Sequence, residues 1–210
     1  MGVHCLNSMS EAFQKPGADP GEDASLVKSF QAGRGDAFDQ LVLKHQNKIF
    51  NLCYWYLGDY HEANDSAQET FIKVYGSLKN FRFESAFSTW LYRIAVNTCK
   101  NKLKSSSYRH RSKSIPIGNP GEHDDGALAV DLKDNASSPL TALEKKERIR
   151  LIRAAIDSLP SEHKEVVTLR DIEGLAYEEI AQITGLNLGT VKSRLARARL
   201  ELRDKLRSIV

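Results

Sequence analysis

From Ala24 to about Ser105 the chain repeats apolar positions at three- and four-residue spacings, as in Phe38, Leu41, Val42, His45, Ile49, Leu52 and Cys53. That period predicts helices with one buried face. The pattern fades between Ser105 and Pro139, where Ser, Gly, Pro, Asn and Asp take over, and resumes from Leu140 to the end. Breaks at Leu159-Pro160-Ser161, Glu173-Gly174 and Gly185-Leu186-Asn187 divide this second block into about four helices. Met1 to Asp23 shows no periodicity and is rich in Gly, Pro and small residues, so a disordered tail is expected, with Met9 as an alternative start. The expected fold is all-α: two small helical domains, 24–105 and 140–210, joined by a flexible linker over 106–139.

The second block ends in two helices of a particular kind. Tyr177 to Thr184 is a short helix with Ile180, Ala181 and Ile183 on or near its buried side, and Gly185 is the natural left-handed cap. A tight turn leads to a helix whose apolar residues Val191, Leu195, Ala198, Leu202 and Leu206 form one stripe. This is the layout of a helix-turn-helix. The opposite face carries Lys192, Ser193, Ala196, Arg197 and Arg199, with no acid before Glu201. A merely solvated face mixes signs. This one is purely basic and small-polar over the turns that would enter a major groove, so DNA is the expected ligand.

Overall charge changes the picture only by forcing the positive residues into patches. The net charge is +3, so a nucleic-acid site must be local. Lys100 to Lys113 contains six basic residues and no acid, and Lys192 to Arg207 contains seven against Glu201 and Asp204. Cys5, Cys53 and Cys99 form no C-x-x-C pair, and the six histidines are scattered singly, so neither a metal nor another cofactor is expected. No apolar run approaches the roughly 18 residues of a membrane span, and no signal-peptide layout opens the chain; a cytoplasmic protein is expected, with no membrane insertion. An enzyme such as a nuclease would need clustered carboxylates. Asp124-Asp125 lies in an acidic linker without a partner motif.

Phe81 to Lys104 adds a second candidate site. Phe87, Leu91, Ile94 and Thr98 form an apolar stripe, while Arg93, Asn97, Lys100 and Lys104 line another face. Phe81, Phe83, Phe87, Trp90 and Tyr92 gather around the start of this helix. Rings beside cations suit single-stranded nucleic acid. The same rings also suit a hydrophobic core, and the pattern alone leaves both readings open.

Taken together, DSAQETFIKVY, FSTWLYRIAVNTCKN and LPSEHKEVVTLRDIEGLAYEEIAQITGLNLGTVKSRLARAR resemble an extracytoplasmic-function (ECF) sigma factor of the sigma-70 family, near the sigma-E type, over about Ser25 to Lys205. The resemblance implies a first domain, sigma-2, that binds the clamp helices of the largest RNA polymerase subunit and melts the −10 element. The polymerase helix matches His61 to Val74, with Asp65, Gln68, Glu69 and Lys73 as the binding residues. The loop Asn80, Phe81, Arg82, Phe83, Glu84 and Ser85 would hold a flipped base, beside Trp90, Arg93, Asn97 and Lys100. The second domain, sigma-4, would meet the flap of the second-largest subunit and read the −35 element. Thr190, Lys192, Ser193 and Arg197 would face bases or nearby phosphates, with Arg194 and Arg199 on the DNA backbone. Asn187 and Ala196 stand where many members have proline and some an aromatic residue, so the −35 sequence cannot be inherited. The resemblance also implies an anti-sigma partner and a linker path through the polymerase, where the acids from Glu122 to Asp134 would mimic nucleic acid or simply keep the segment soluble. A helix-turn-helix repressor or activator is the alternative that the last helix would serve equally well, but it would need an effector or dimerisation module.

Overall fold

A computed structural model describes residues 20–105 and 139–207. They fall into two compact units. The first contains α1 (Pro20–Gln31), α2 (Asp36–Leu57), α3 (Tyr60–Leu78) and α4 (Phe87–Lys104); the second contains α5 (Pro139–Asp157), α6 (Ser161–Val167), α7 (Tyr177–Thr184) and α8 (Leu188–Arg207). Among the described residues there is no strand, in keeping with the expected all-α class. Most of the expected tail, the linker with Arg109, Arg111, Lys113 and the acids Glu122 to Asp134, and Cys5 lie outside the described residues.

In the first unit a stop and a start sit side by side. Gly58 takes a left-handed φ of 81° and its N–H closes on the Tyr54 carbonyl, ending α2. Asp59 then caps α3, its Oδ1 accepting the Glu62 N–H at 2.8 Å. The helices can therefore fold back on each other and bury Leu41, Ile49 and Leu52 of α2 with Val74 and Leu78 of α3 and Leu91 and Val96 of α4. Val27 and Phe30 bring α1 into the same core.

Order begins earlier than the sequence pattern places it. Asp23, expected in the tail, is in α1 and buried, with Oδ2 3.0 Å from His45 Nε2 and Oδ1 2.8 Å from Lys44 Nζ. Asp23 follows Asp19 and Glu22 in a Gly/Pro-rich run, and nothing in that run hints at partners in the next helix. Burial by itself raises the Asp23 pKa, but the hydrogen bonds from His45 and Lys44 outweigh it and hold the carboxyl below its ordinary value. A depressed carboxylate contributes stability that is present above its unfolded pKa and lost as pH falls through the folded one. Asp23→Asn is expected to cost about 1–3 kcal/mol at neutral pH and to flatten the acid limb of the first unit's stability below about pH 4. Thermal melts over an acid-to-neutral series check both effects.

The second unit has the four helices expected and one feature that periodicity does not show. After α6 the chain widens into a π-turn over Thr168–Ile172, with the Glu173 N–H on the Thr168 carbonyl at 3.0 Å. Gly174 and Gly185 both take left-handed φ values, 68° and 73°. Asn187 Oδ1 accepts the Thr190 N–H at 2.7 Å and caps α8, so the turn holds without proline. Ile180 and Ile183 of α7 and Val191, Leu195, Ala198 and Leu202 of α8 are buried with Val166, Val167 and Leu169.

Candidate nucleic-acid and polymerase interface

Helix α3 buries Ala63, Ser66, Ala67, Thr70 and Val74, which turns Asp65, Gln68 and Glu69 to solvent on one face. Ile72 continues that face and is 71% exposed, a large apolar residue beside two acids. Lys73 is partly committed within the fold: its Nζ pairs with Glu69 at 2.7 Å and donates to Thr98 Oγ1 of α4 at 3.0 Å. It braces α3 against α4 as well as edging the exposed face.

The loop after α3 separates the two readings of the aromatic residues. Phe87 and Tyr92 are in the core, and Phe81 is only 9% exposed. The Phe81 ring lies 4.9 Å from Trp90, 6.3 Å from Phe87 and 5.0 Å from Phe83. Only Phe83, 39% exposed, and half-buried Trp90 reach the surface. Phe81 is thus a bed under the loop, its ring drawn in by its neighbours. Phe83 adopts φ 58°, the only positive φ outside glycine among the described residues. For a bulky side chain that conformation costs on the order of 1 kcal/mol or more and must be imposed by its surroundings. Asn80, Arg82 and Glu84 are exposed and Ser85 is half-buried.

Trp90 links this loop to the cations of α4. Arg93, Asn97, Lys100 and Lys104 follow it on one helical face; Arg93, Asn97 and Lys104 are exposed and Lys100 half-buried. At 1.5 Å per residue the row is about 20 Å long, room for a few nucleotides of single strand. The buried face is wider than the four-residue stripe expected. Ala95, Val96 and Cys99 are buried while Ile94 is half-exposed, because α1, α2 and α3 all pack on α4. The residues that hold the loop from α1, Lys28 and Gln31, had no signal in the sequence.

In the second unit Lys192, Ser193 and Arg197 are exposed on α8 and Thr190 is half-exposed. The Tyr177 ring lies between Arg170, 4.8 Å away, and Lys192, 6.0 Å away. The other two cations expected on DNA are already paired. Arg194 meets Glu162 of α6 at 2.7 Å, and Arg199 forms a two-pronged ion pair with Asp171 of the π-turn, with Nε 3.1 Å from Oδ2. The Asp171 carboxylate holds the Arg199 guanidinium above its usual pKa. Next to buried Ala198, Arg199 is at the edge of the core-facing side, within reach of Asp171.

This pairing changes what Arg199 is expected to do. Arg197→Ala should cost about 1–3 kcal/mol at one base position if it reads a base edge. Arg199→Ala should leave the salt slope of DNA binding unchanged and cost about 1 kcal/mol of stability in the second unit. Had Arg199 gripped a phosphate, its removal would lower the slope by about one. Binding to a −35 substitution panel at two salt concentrations, with a urea titration, distinguishes the cases.

Family models match both units: Sigma-70 region 2 over residues 41–109 and Sigma-70, region 4 over residues 149–202. The chain belongs to the sigma-70 family of RNA polymerase sigma factors. Within that family it is similar to the RNA polymerase sigma-H factor of Pseudomonas aeruginosa, 44% identical over 178 residues, which are 85% of this chain and 90% of that one. It is also similar to the ECF RNA polymerase sigma-E factor of Haemophilus influenzae, 39% identical over 90% of this chain and 97% of the other. The sigma factor RpoE of Bartonella quintana, solved in complex with the anti-sigma factor NepR, shares the fold at 23% identity with a TM-score of 0.59, over 81% of this chain and 96% of that one. The sigma region 2 match starts at Leu41, so α1 precedes it. Among the described residues of this sigma factor no cluster of His, Cys, Asp or Glu could hold a metal, and no helix is long and apolar enough to cross a membrane.

Proposed function

We propose that the chain is an alternative sigma factor of the ECF type, which joins core RNA polymerase in the cytoplasm, carries it to a specific set of promoters and opens them, without catalysing a reaction of its own. The observation that carries this reading is the presence in one chain of sigma region 2 and sigma region 4. A repressor or activator built on α8 alone would leave the first unit without a role. In this reading residues 24–105, with the first turn of α1, form the region 2 domain, 106–139 the linker and 140–210 the region 4 domain.

Asp65, Gln68, Glu69 and Ile72 then meet the clamp helices of the largest polymerase subunit, and the region 4 domain meets the flap of the second-largest. Acids suit a basic partner surface. Phe83 and the loop around it receive a base flipped from the −10 element, at a cost of a few kcal/mol of unstacking that pocket contacts and polymerase binding offset. Trp90, Arg93, Asn97 and Lys100 guide the strand, and Thr190, Lys192, Ser193 and Arg197 read the −35 element. An anti-sigma factor, the kind of partner named in the Bartonella quintana complex, completes the set.

Run-off transcription with core polymerase over a promoter library tests the reading. Transcripts should arise from a subset sharing −35 and −10 motifs, and no promoter active above core polymerase alone would overturn it. Asn97→Ala, an exposed change, should impair opening while sparing core binding. Permanganate footprinting reports the bubble, and an undiminished bubble would remove Asn97 from the strand path.

A further inference from the structure

Helix α1 precedes the matched sigma region and carries no DNA-binding role so far, yet it touches the base-receiving loop at two points. Gln31 Nε2 donates to the Phe81 carbonyl at 2.9 Å and lies 3.1 Å from the Leu78 carbonyl, which ties the end of α3 and the start of the loop to one amide. Lys28, one turn earlier on the same face of α1, is exposed and has its Nζ 5.7 Å from the centroid of the Phe83 ring. Phe83 is the residue held at φ 58°. A strained conformation persists only where neighbours over-determine it. Here the neighbours are the Phe81 ring, 5.0 Å from that of Phe83, and the Lys28 chain, with the Gln31 amide holding the Phe81 carbonyl two residues before it.

We infer that α1 is part of the single-strand site, with Gln31 as the residue that positions the loop and Lys28 as a contact to a phosphate beside the captured base. The inference rests on the reading of the loop given above. A base arriving at Phe83 brings its phosphate within reach of a lysine chain already poised over that ring. Lys28 exchanges its contact with the ring for one with the phosphate, and the strand gains a cation outside the α4 row. Gln31 meets no DNA. It keeps the Phe81 carbonyl, and hence the Phe83 ring, in the receiving geometry before the strand arrives, so that the ordering cost is not met during melting.

The test uses holoenzyme assembled from core polymerase and the full chain, on a promoter it transcribes and on the matching single-stranded −10 oligonucleotide. 2-Aminopurine scanned through the −10 element reports the unstacked base. Lys28→Ala should lower the slope of log affinity against log salt for the oligonucleotide by about 0.7, the value for one phosphate on a single strand. Gln31→Met keeps the length and loses the donor. It should slow the 2-aminopurine signal about tenfold, what a lost hydrogen bond to the loop is worth, with the salt slope and the binding of a duplex −35 fragment unchanged. Phe83→Ala is the control for the loop itself. If it impairs opening while Lys28→Ala leaves the slope and Gln31→Met the rate as in the parent, α1 has no part in the site and the loop reading stands. If Phe83→Ala opens promoters normally, the loop reading fails and this inference with it. Should Gln31→Met lower the thermal midpoint, the surface change at Lys28 still decides the phosphate contact.

Discussion

A chain carrying Asp65→Lys together with Glu69→Lys is expected to lose the ability to join core polymerase while keeping its fold. Both side chains are exposed on α3, so neither is needed by the core. Glu69 pairs with Lys73 one turn on, with both side chains about half exposed. Such a pair contributes only a few tenths of a kcal/mol, and a like-charge pair in its place costs as little. Against a basic partner the change is much larger. Two attractive contacts become two repulsive ones, and like-charge juxtaposition across an interface costs several kcal/mol, or a thousandfold or more in affinity. Titration of fluorescent core polymerase with the variant, beside a thermal melt of the free chain, separates lost binding from lost structure. Normal assembly by the variant would place the polymerase face elsewhere.

Val191→Asp is expected to unfold the second unit and leave the first intact. Val191 is fully buried at the start of α8, where α8 packs on α7 and α6. A carboxylate there has no cation within the core, and a buried unpaired charge costs at least about 4 kcal/mol. A domain of this size has only about 3–10 kcal/mol to lose. The variant should lose the helicity of the second unit and all −35 binding, yet still bind core polymerase through α3. Circular dichroism, a −35 fragment and the core titration report the three effects. A variant that keeps −35 binding would show that Val191 does not anchor the recognition helix.

How far the interface was legible depends on the distance in sequence over which each feature is decided. Apolar spacing along α8 sorted Val191, Leu195, Ala198 and Leu202 from Lys192, Ser193 and Arg197, because a helix repeats its own geometry whatever it packs against. The same reasoning put Arg199 on the DNA side, but it could not reveal the partner that the folded chain gives it. The Arg199 guanidinium has Asp171 as its partner, 28 residues back on a π-turn that no periodicity announces. Arg194 is likewise held by Glu162.

The aromatic residues around α4 show the same division. Composition and spacing determined that a group of rings stands next to a row of cations, and that much is local chemistry. Whether a ring is core or surface is decided by what lies over it. Phe81 and Phe83 are two positions apart in one loop, yet the first is buried against Trp90 and Phe87 and the second is turned out at a positive φ. The sequence by itself determined the all-helical class, the break between two helical blocks, the helix-turn-helix and the family, since each rests on short-range periodicity, turn residues or contiguous motifs. Only the tertiary structure decided that Arg194 and Arg199 pair with carboxylates, that Asp23 belongs to the core, and that Gln31 holds a loop 50 residues away. Those outcomes depend on charge pairing, burial and hydrogen bonds between segments that meet only when the chain has folded.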